Sequence, residues 1–102
     1  MIRYTTPTIT LNVSVDLSQA TNIIVKLKQG DVFLKKEHLT YSQGKVLLPL
    51  NESETAAFQA NQTAKVQINW TYTDNGVEKR AATYAGMITI RENMLQEVLI
   101  GE

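Results

Sequence analysis

The stretch Thr63–Gly76 reads TAKVQINWTYTDNG and decides the fold. Apolar residues occupy alternate positions from 64 to 72, and polar residues lie between them. Alternation with a period of two is typical of a β-strand that buries one face. Asn75-Gly76 suits a type I′ hairpin turn because both positions tolerate positive φ. The stretch therefore predicts a long strand over 63–74 with a hairpin after it, whose inward side chains are Ala64, Val66, Ile68, Trp70 and Tyr72.

The return strand is predicted over residues 77–90. Its length favours a β-bulge, which inserts one unpaired residue, near Ala81-Ala82 or near Gly86. The inward set is predicted to be Tyr84, Gly86, Ile88 and Ile90.

Four shorter strands are predicted upstream, separated by turn residues. Gly30-Asp31 is expected to form a two-residue hairpin turn, and a loop is expected around His38 and residues 42–44. Pro49 indicates an edge strand because it cannot donate to the ladder. The predicted strands cover residues 9–15, 22–29, 32–36 and 45–50.

One short helix is predicted over residues 52–59. Asn51 can cap it, and Glu54 lies at the position that completes a capping box. Phe58 would anchor this helix in the core where the chain crosses between sheets.

About seven short strands without βαβ alternation predict an all-β fold, an immunoglobulin-like antiparallel β-sandwich over residues 1–92. Trp70 is expected to fill the space between the sheets, since a large ring removes roughly 150–250 Å² from water. Residues 93–102 are expected to form an amphipathic tail.

Composition excludes several classes of function for this 102-residue chain. Ten Lys and Arg balance ten Asp and Glu, which argues against a basic nucleic-acid binder and a polybasic membrane anchor. Cysteine is absent, so thiolate catalysis and Cys-ligated metals are excluded. No apolar run approaches the roughly 20 residues of a membrane helix. We therefore expect neither nucleic-acid nor membrane partners.

The titratable residues do not form a catalytic pattern. Asp16, Asp31 and Asp74 fall in predicted turns, where Asp usually bonds its own backbone. His38 stands alone in a polar loop, and there is no phosphate-binding glycine motif. We predict a protein that is not an enzyme, with no catalytic, cofactor-binding or metal residues, and we do not expect a small-molecule ligand.

Lysines form a second feature of the sequence. Residues 26, 28, 35 and 36 could make a small basic patch on the first hairpin, which we interpret as edge protection of an exposed strand. A binder of single-stranded nucleic acid requires aromatic residues between its basic residues, and we expect none to interleave with these lysines.

The tail, residues 93–102, combines a possible short helix with an apolar ridge. Asn93 could cap the helix, and Gln96 lies at the box position. The tail could dock on a neighbouring subunit, or it could fold back over an open end of its own sandwich. The candidate protein-contact residues are Met94, Leu95, Val98, Leu99 and Ile100.

The opening MIRYTTPTITL resembles the start of small proteins from structural gene clusters of tailed phages and prophages of Gram-positive gut bacteria. The similarity continues through residues 16–20, 28–30, 54–58, 66–70 and 93–98. The D-L-S-x-A loop before a strand and the later aromatic strand before Asn-Gly are also similar to the immunoglobulin-like N-terminal domain of phage baseplate upper proteins.

This resemblance implies a non-enzymatic virion protein of the tail, baseplate or neck. Its implied partners are other virion proteins or copies of itself, and its implied location is the virion, assembled in the bacterial host cytoplasm. The alternative hypothesis is a carbohydrate-binding or host-surface adhesion module of the β-sandwich type. That alternative requires exposed aromatic residues, for which Tyr4, Phe33 and Tyr41 are the candidates because Tyr84 is predicted to point inward.

Overall fold

A computed structural model describes residues 1–96 and 99 of the chain. Over these residues the backbone forms seven strands and one helix. The elements are β1 Thr8–Asn12, β2 Asn22–Gln29, β3 Val32–Lys36, β4 Thr40–Ser42, β5 Lys45–Pro49, α1 Glu52–Ala56, β6 Gln62–Asp74 and β7 Val77–Ile90.

The strands form two antiparallel sheets, ordered β1-β5-β4 and β3-β2-β6-β7. This is the strand order of an immunoglobulin-like sandwich in which the smaller sheet supplies strands B, E and D. The larger sheet then supplies strands C′, C, F and G. The predicted all-β sandwich is therefore confirmed.

The core lies between the two sheets and is built from alternate residues of each central strand. In β6, Ala64, Val66 and Ile68 are at most 1% exposed, and Trp70 is 8% exposed. Phe58 is 1% exposed, which confirms it as the anchor after the helix. The inner faces contribute Leu11, Ile23, Val25, Leu27, Val46, Leu48, Leu50 and Ile90 to the same core.

Helix α1 carries the chain from β5 in the smaller sheet to β6 in the larger sheet. The predicted capping box is present. The Glu54 backbone N–H donates to Asn51 Oδ1 over 2.8 Å, and the Asn51 N–H donates to Glu54 Oε1 over 2.9 Å. The helix ends at Ala56, three residues before the predicted end.

The smaller sheet differs from the prediction at two places. Strand β1 ends at Asn12, three residues before the predicted end, and in the turn that follows Asp16 Oδ1 accepts a hydrogen bond from the Ser18 N–H at 2.9 Å. The predicted loop contains the three-residue strand β4, which is too short to show periodicity.

Pro49 does not mark an edge strand, and that prediction is wrong. Strand β5 is the central strand of its sheet, paired with β1 on one side and β4 on the other. The β4 ladder stops at Leu47, whereas Pro49 lies opposite Thr8 of β1. Pro49 is tolerated because the neighbour that would need its N–H has already ended.

A bulge in β7 reverses the predicted orientation of Tyr84, whereas Gly86 keeps its predicted register opposite the buried Val66. Val66 pairs with Gly86, but Gln67 pairs with Tyr84, so Ala85 is the extra residue. Gly86 has φ +104°, which favours glycine at this position. The extra residue reverses the alternation, so Tyr84 points outward and is 74% exposed. Ile88 and Ile90, beyond the bulge, lie on the inner side as predicted.

Across residues 1–96 and 99, no helix has the length and apolar character that crossing a membrane would require.

We expect Trp70→Ala to lower the free energy of unfolding by roughly 3–5 kcal/mol, because it removes a large ring from the core. Urea denaturation measures this change. Tyr84→Ala is the matched control on the neighbouring strand and should change stability by no more than about 0.5 kcal/mol. Equal effects of the two substitutions would contradict the assignment of the two faces.

Candidate functional site

The structure places the described apolar residues of the tail on the surface. Met94 is 103% exposed, Leu95 is 51% exposed and Leu99 is 66% exposed. The other two predicted contact residues, Val98 and Ile100, lie outside the described residues. Three apolar side chains within six positions thus remain accessible to a partner.

The tail is not helical over residues 93–96, where a helix start had been predicted. Asn93 forms a local turn instead, in which its Oδ1 accepts from the Leu95 N–H at 3.0 Å. Its side-chain amide is used elsewhere, because Nδ2 donates to the Arg3 carbonyl at 3.1 Å. The remainder of the predicted helix falls largely outside the described residues.

The tail begins at a backbone junction between both ends of the chain. The Arg3 N–H donates to the Arg91 carbonyl at 3.0 Å, and the Arg91 N–H donates to the Met1 carbonyl at 2.7 Å. The Leu99 N–H donates to the buried Glu52 carboxylate at 2.6 Å. The tail is therefore hydrogen-bonded to the sandwich at Asn93 and Leu99, while the Met94, Leu95 and Leu99 side chains face solvent.

The isolated carboxylates have local structural partners. The Ser18 backbone and side-chain hydrogen bonds hold the pKa of Asp16 below its ordinary value. Asp74 pairs with Lys79 at 2.9 Å. Over the residues that the structure describes, no three His, Cys, Asp or Glu side chains lie close enough to hold a metal ion. Asp16 thus bonds the backbone of its own turn, as the sequence predicted, whereas Asp74 pairs with a lysine side chain.

The predicted basic patch is divided between two places. The Lys36 ammonium lies 2.9 and 3.0 Å from the two carboxylate oxygens of Glu54, beside the helix. Lys26 and Lys28 instead point out from the larger sheet, and the register of β6 brings Lys65 beside them. Sequence reasoning missed Lys65 because only strand pairing brings it next to the first hairpin.

Two aromatic residues do interleave with these lysines, contrary to the prediction. The Phe33 ring centroid lies 4.7 Å from Lys26 Nζ and 5.4 Å from Lys28 Nζ, and the ring is 53% exposed. Tyr84 joins the group from the opposite edge because of the bulge. Together these residues surround a depression of about 250 Å³, here called the basic face: Lys26, Lys28, Phe33, Lys65, Gln67 and Tyr84.

Like charges stand directly opposite each other on the basic face. Lys28 is the cross-strand partner of Lys65, and Lys26 is the cross-strand partner of Lys35. Among the described residues, the ion pairs leave Lys26, Lys28 and Lys65 without a carboxylate partner. Directly opposed like charges destabilise a sheet, so this face has a repulsion that an anionic partner would relieve.

We expect Lys65→Gln to raise the free energy of unfolding by about 0.2–1 kcal/mol, because it removes one of two directly opposed charges. Urea denaturation at low and at high salt measures the change. The gain should shrink at high salt, where the screening length falls to about 3 Å at 1 M.

Lys45→Gln is the control for this prediction. Lys45 is exposed on the smaller sheet, opposite the uncharged Asn12 and Ser42. It should show no salt-dependent gain. A loss of stability in Lys65→Gln that does not respond to salt would contradict the repulsion.

No family model, curated protein or solved structure matches this chain.

Proposed function

We propose that this chain is a non-enzymatic structural protein of a phage or prophage virion, a component of the tail, baseplate or neck. It acts through contacts with copies of itself or with other virion proteins. The observation that carries the proposal is in the tail, where Asn93 and Leu99 are hydrogen-bonded to the sandwich while the Met94, Leu95 and Leu99 side chains remain exposed.

The proposal is supported by the free-energy cost of leaving the apolar side chains of the tail exposed to water. Scattered exposed apolar residues are normal, but a cluster of them is typical of an interaction site. A segment that is already hydrogen-bonded to the fold at two points loses less conformational freedom when it binds, so more of its contact energy contributes to affinity. Exposed apolar side chains beside such points therefore suit a protein that assembles through this segment.

The assignment to a virion is supported by the sequence resemblance. The resemblance includes the opening MIRYTTPTITL and the tail itself at residues 93–98. The first of these segments leads into β1, and both ends of the chain meet at the Arg3–Arg91 junction. The resembling segments thus include the part of the molecule that presents the contact residues.

Purified particles provide the direct test of a virion role. Phage particles from the bacterium that encodes this chain are separated on a density gradient and analysed by quantitative mass spectrometry. We expect this chain to sediment with the particles at a fixed copy number. Its presence only in the soluble fraction would contradict the proposal.

We expect the triple substitution Met94→Ser, Leu95→Ser and Leu99→Ser to weaken self-association and leave the fold intact. Each change removes an exposed apolar contact without touching the core. Light scattering over a concentration series measures the particle mass. Deletion of residues 93–102 should also weaken self-association, but because it removes the Leu99 N–H from the buried Glu52 carboxylate it should lower the melting temperature, which the serine variant should not.

Val77→Ser is the control for the tail variants. Val77 is also apolar and is 57% exposed, but it lies at the tip of the β6–β7 hairpin. It should leave the particle mass unchanged. A triple variant with the association of the unaltered chain would remove the tail from the contact.

One observation favours a second candidate function, a carbohydrate-binding or adhesion module. Phe33 and Tyr84 are exposed on one sheet face, whereas the sequence placed Tyr84 inside. Aromatic faces on a sheet can stack on sugar rings. A glycan array probed with the unaltered chain and with Tyr84→Ala tests this function. If the aromatic face recognises sugars, the unaltered chain should bind glycans that the substituted chain does not.

A further inference from the structure

We infer that the basic face is the docking site for the tail of a second copy of this chain. This inference rests on the proposed function, because it names the partner and the receiving surface of the same assembly contact. It concerns the outward side of the larger sheet, which the sandwich core does not use.

The charge pattern of the basic face calls for an anionic occupant. Lys28 and Lys65 are opposed across one strand pair, and Lys26 and Lys35 across the next. Of these four, Lys35 has an ion pair in the described part of the chain, with Glu37 at 3.6 Å. A carboxylate placed between Lys28 and Lys65 would turn two repelling charges into two attractive contacts.

Exposed apolar side chains on the same face favour an occupant that also carries apolar groups. Phe33, Tyr84 and Met87 are 53%, 74% and 65% exposed. Met87 is the cross-strand partner of Lys65, so it lies next to Lys65 on the outward side of β7. Apolar rings and a thioether around a cationic centre suit a segment that carries both acidic and aliphatic side chains.

The positive charge is confined to a small area. Beyond Gln67, the outward positions of β2, β6 and β7 are Ile24, Asn69 and Ala82, which are uncharged. Arg80, further along, donates to Asn69 Oδ1 from Nε at 3.1 Å and from Nη2 at 2.9 Å and keeps its charge. Lys26, Lys28 and Lys65, which have no ion pair among the described residues, thus form a compact cluster with one further cation at its margin, which suits a short acidic segment.

The tail has the composition that this face requires. Over residues 92–102 the sequence has glutamates at 92, 97 and 102, five aliphatic or Met side chains, and no Lys or Arg. Its described apolar side chains are exposed. The acidic and aliphatic groups thus occur together in one short segment.

The dimensions of the two surfaces also agree. Phe33 in β3 and Tyr84 in β7 are three strand spacings apart across the sheet and two residues apart along it, about 16 Å. Met94 and Leu99 are five residues apart, at most about 17 Å when extended. A tail that is extended between Met94 and Leu99 when it docks can therefore reach both aromatic residues while an acid between them meets the lysines.

The receiving face belongs to another copy. Asn93 is bonded to Arg3, and Leu99 is bonded to Glu52 of α1. Helix α1 joins β5 of the smaller sheet to β6 of the larger sheet, and its Glu52 and Thr55 are buried. These bonds hold the tail at the end of its own sandwich, away from the outward side of its own larger sheet.

A charge-swap experiment on the full chain tests the inference. The face variant is Lys28→Glu with Lys65→Glu, and the tail variant is Glu92→Lys with Glu97→Lys. We expect each variant alone to self-associate about tenfold or more weakly in sedimentation velocity, because attraction is replaced by repulsion. An equimolar mixture of the two should associate again, because the reversed face meets the reversed tail.

Two controls make the result specific. Lys45→Glu reverses an exposed lysine on the smaller sheet and should leave association unchanged. Circular dichroism and thermal melting establish that each variant is folded; if the double face variant does not fold, Lys28→Gln is tested alone and should still weaken association. Normal association of the folded face variant, failure of the mixture to recover, or a monomeric unaltered chain would each overturn the inference.

A labelled single-stranded oligonucleotide and a labelled peptide of residues 91–102 are compared as probes by fluorescence anisotropy. The peptide should bind the unaltered chain, and the oligonucleotide should not compete with it. Stronger oligonucleotide binding that the face variant abolishes would assign this face to nucleic acid and overturn the inference.

The proposed function can survive the failure of this inference. If the tail serine variant loses association while the face variant keeps it, the tail docks on another surface and only the inference fails. If the chain is absent from purified particles, the virion role fails whatever the outcome of the charge swap.

Discussion

The burial of one side of β6 between the sheets is the interaction on which the other features of this molecule depend. Ala64, Val66 and Ile68 are almost completely enclosed. Because side chains alternate along a strand, their burial fixes Lys65 and Gln67 on the opposite side. A shift of one residue in register would bring Lys65 into the core, so the basic face and the core are two consequences of one alternation.

Local sequence patterns predicted much of the fold. The alternation in β6, the Asn75-Gly76 turn and the Asn51–Glu54 capping box each appear in the structure where the sequence predicted them. All three are local features, set by the backbone preferences of a few neighbouring residues. Strand β4 was missed because three residues are too few to establish a period.

The wrong predictions have a different common cause: each depended on how the partner strand pairs, which the local sequence does not determine. Pro49 was assigned to an edge because it lacks an N–H, but whether that matters depends on how far β4 extends. Tyr84 was placed inside because the alternation was continued through Gly86, where the extra residue Ala85 reverses it. The sequence did predict a bulge at Gly86 as one of two positions, and choosing between them requires the register with β6.

The candidate site was only partly predictable for the same reason. The apolar residues of the tail are visible in the sequence as a local cluster. The basic face joins side chains from four strands, and its Lys28–Lys65 cross-strand pairing spans 37 positions of sequence. A surface of this kind becomes visible only when pairing is known, even though each lysine can be identified beforehand.

A contact between a tail and a different surface of the next copy has consequences for assembly. Such a contact is heterologous: each copy binds one neighbour through its tail and the other neighbour through its basic face. The contact can therefore repeat from copy to copy. In an open row, one terminal copy would keep an uncovered face with Lys28 opposed to Lys65, and the other would keep an uncovered tail. In a closed ring every basic face and every tail is covered. The repulsion between lysines in an uncovered basic face therefore favours ring closure wherever the angle between neighbouring copies permits it. The unfavourable charge pair, which weakens the isolated sandwich, would then help to select a closed assembly.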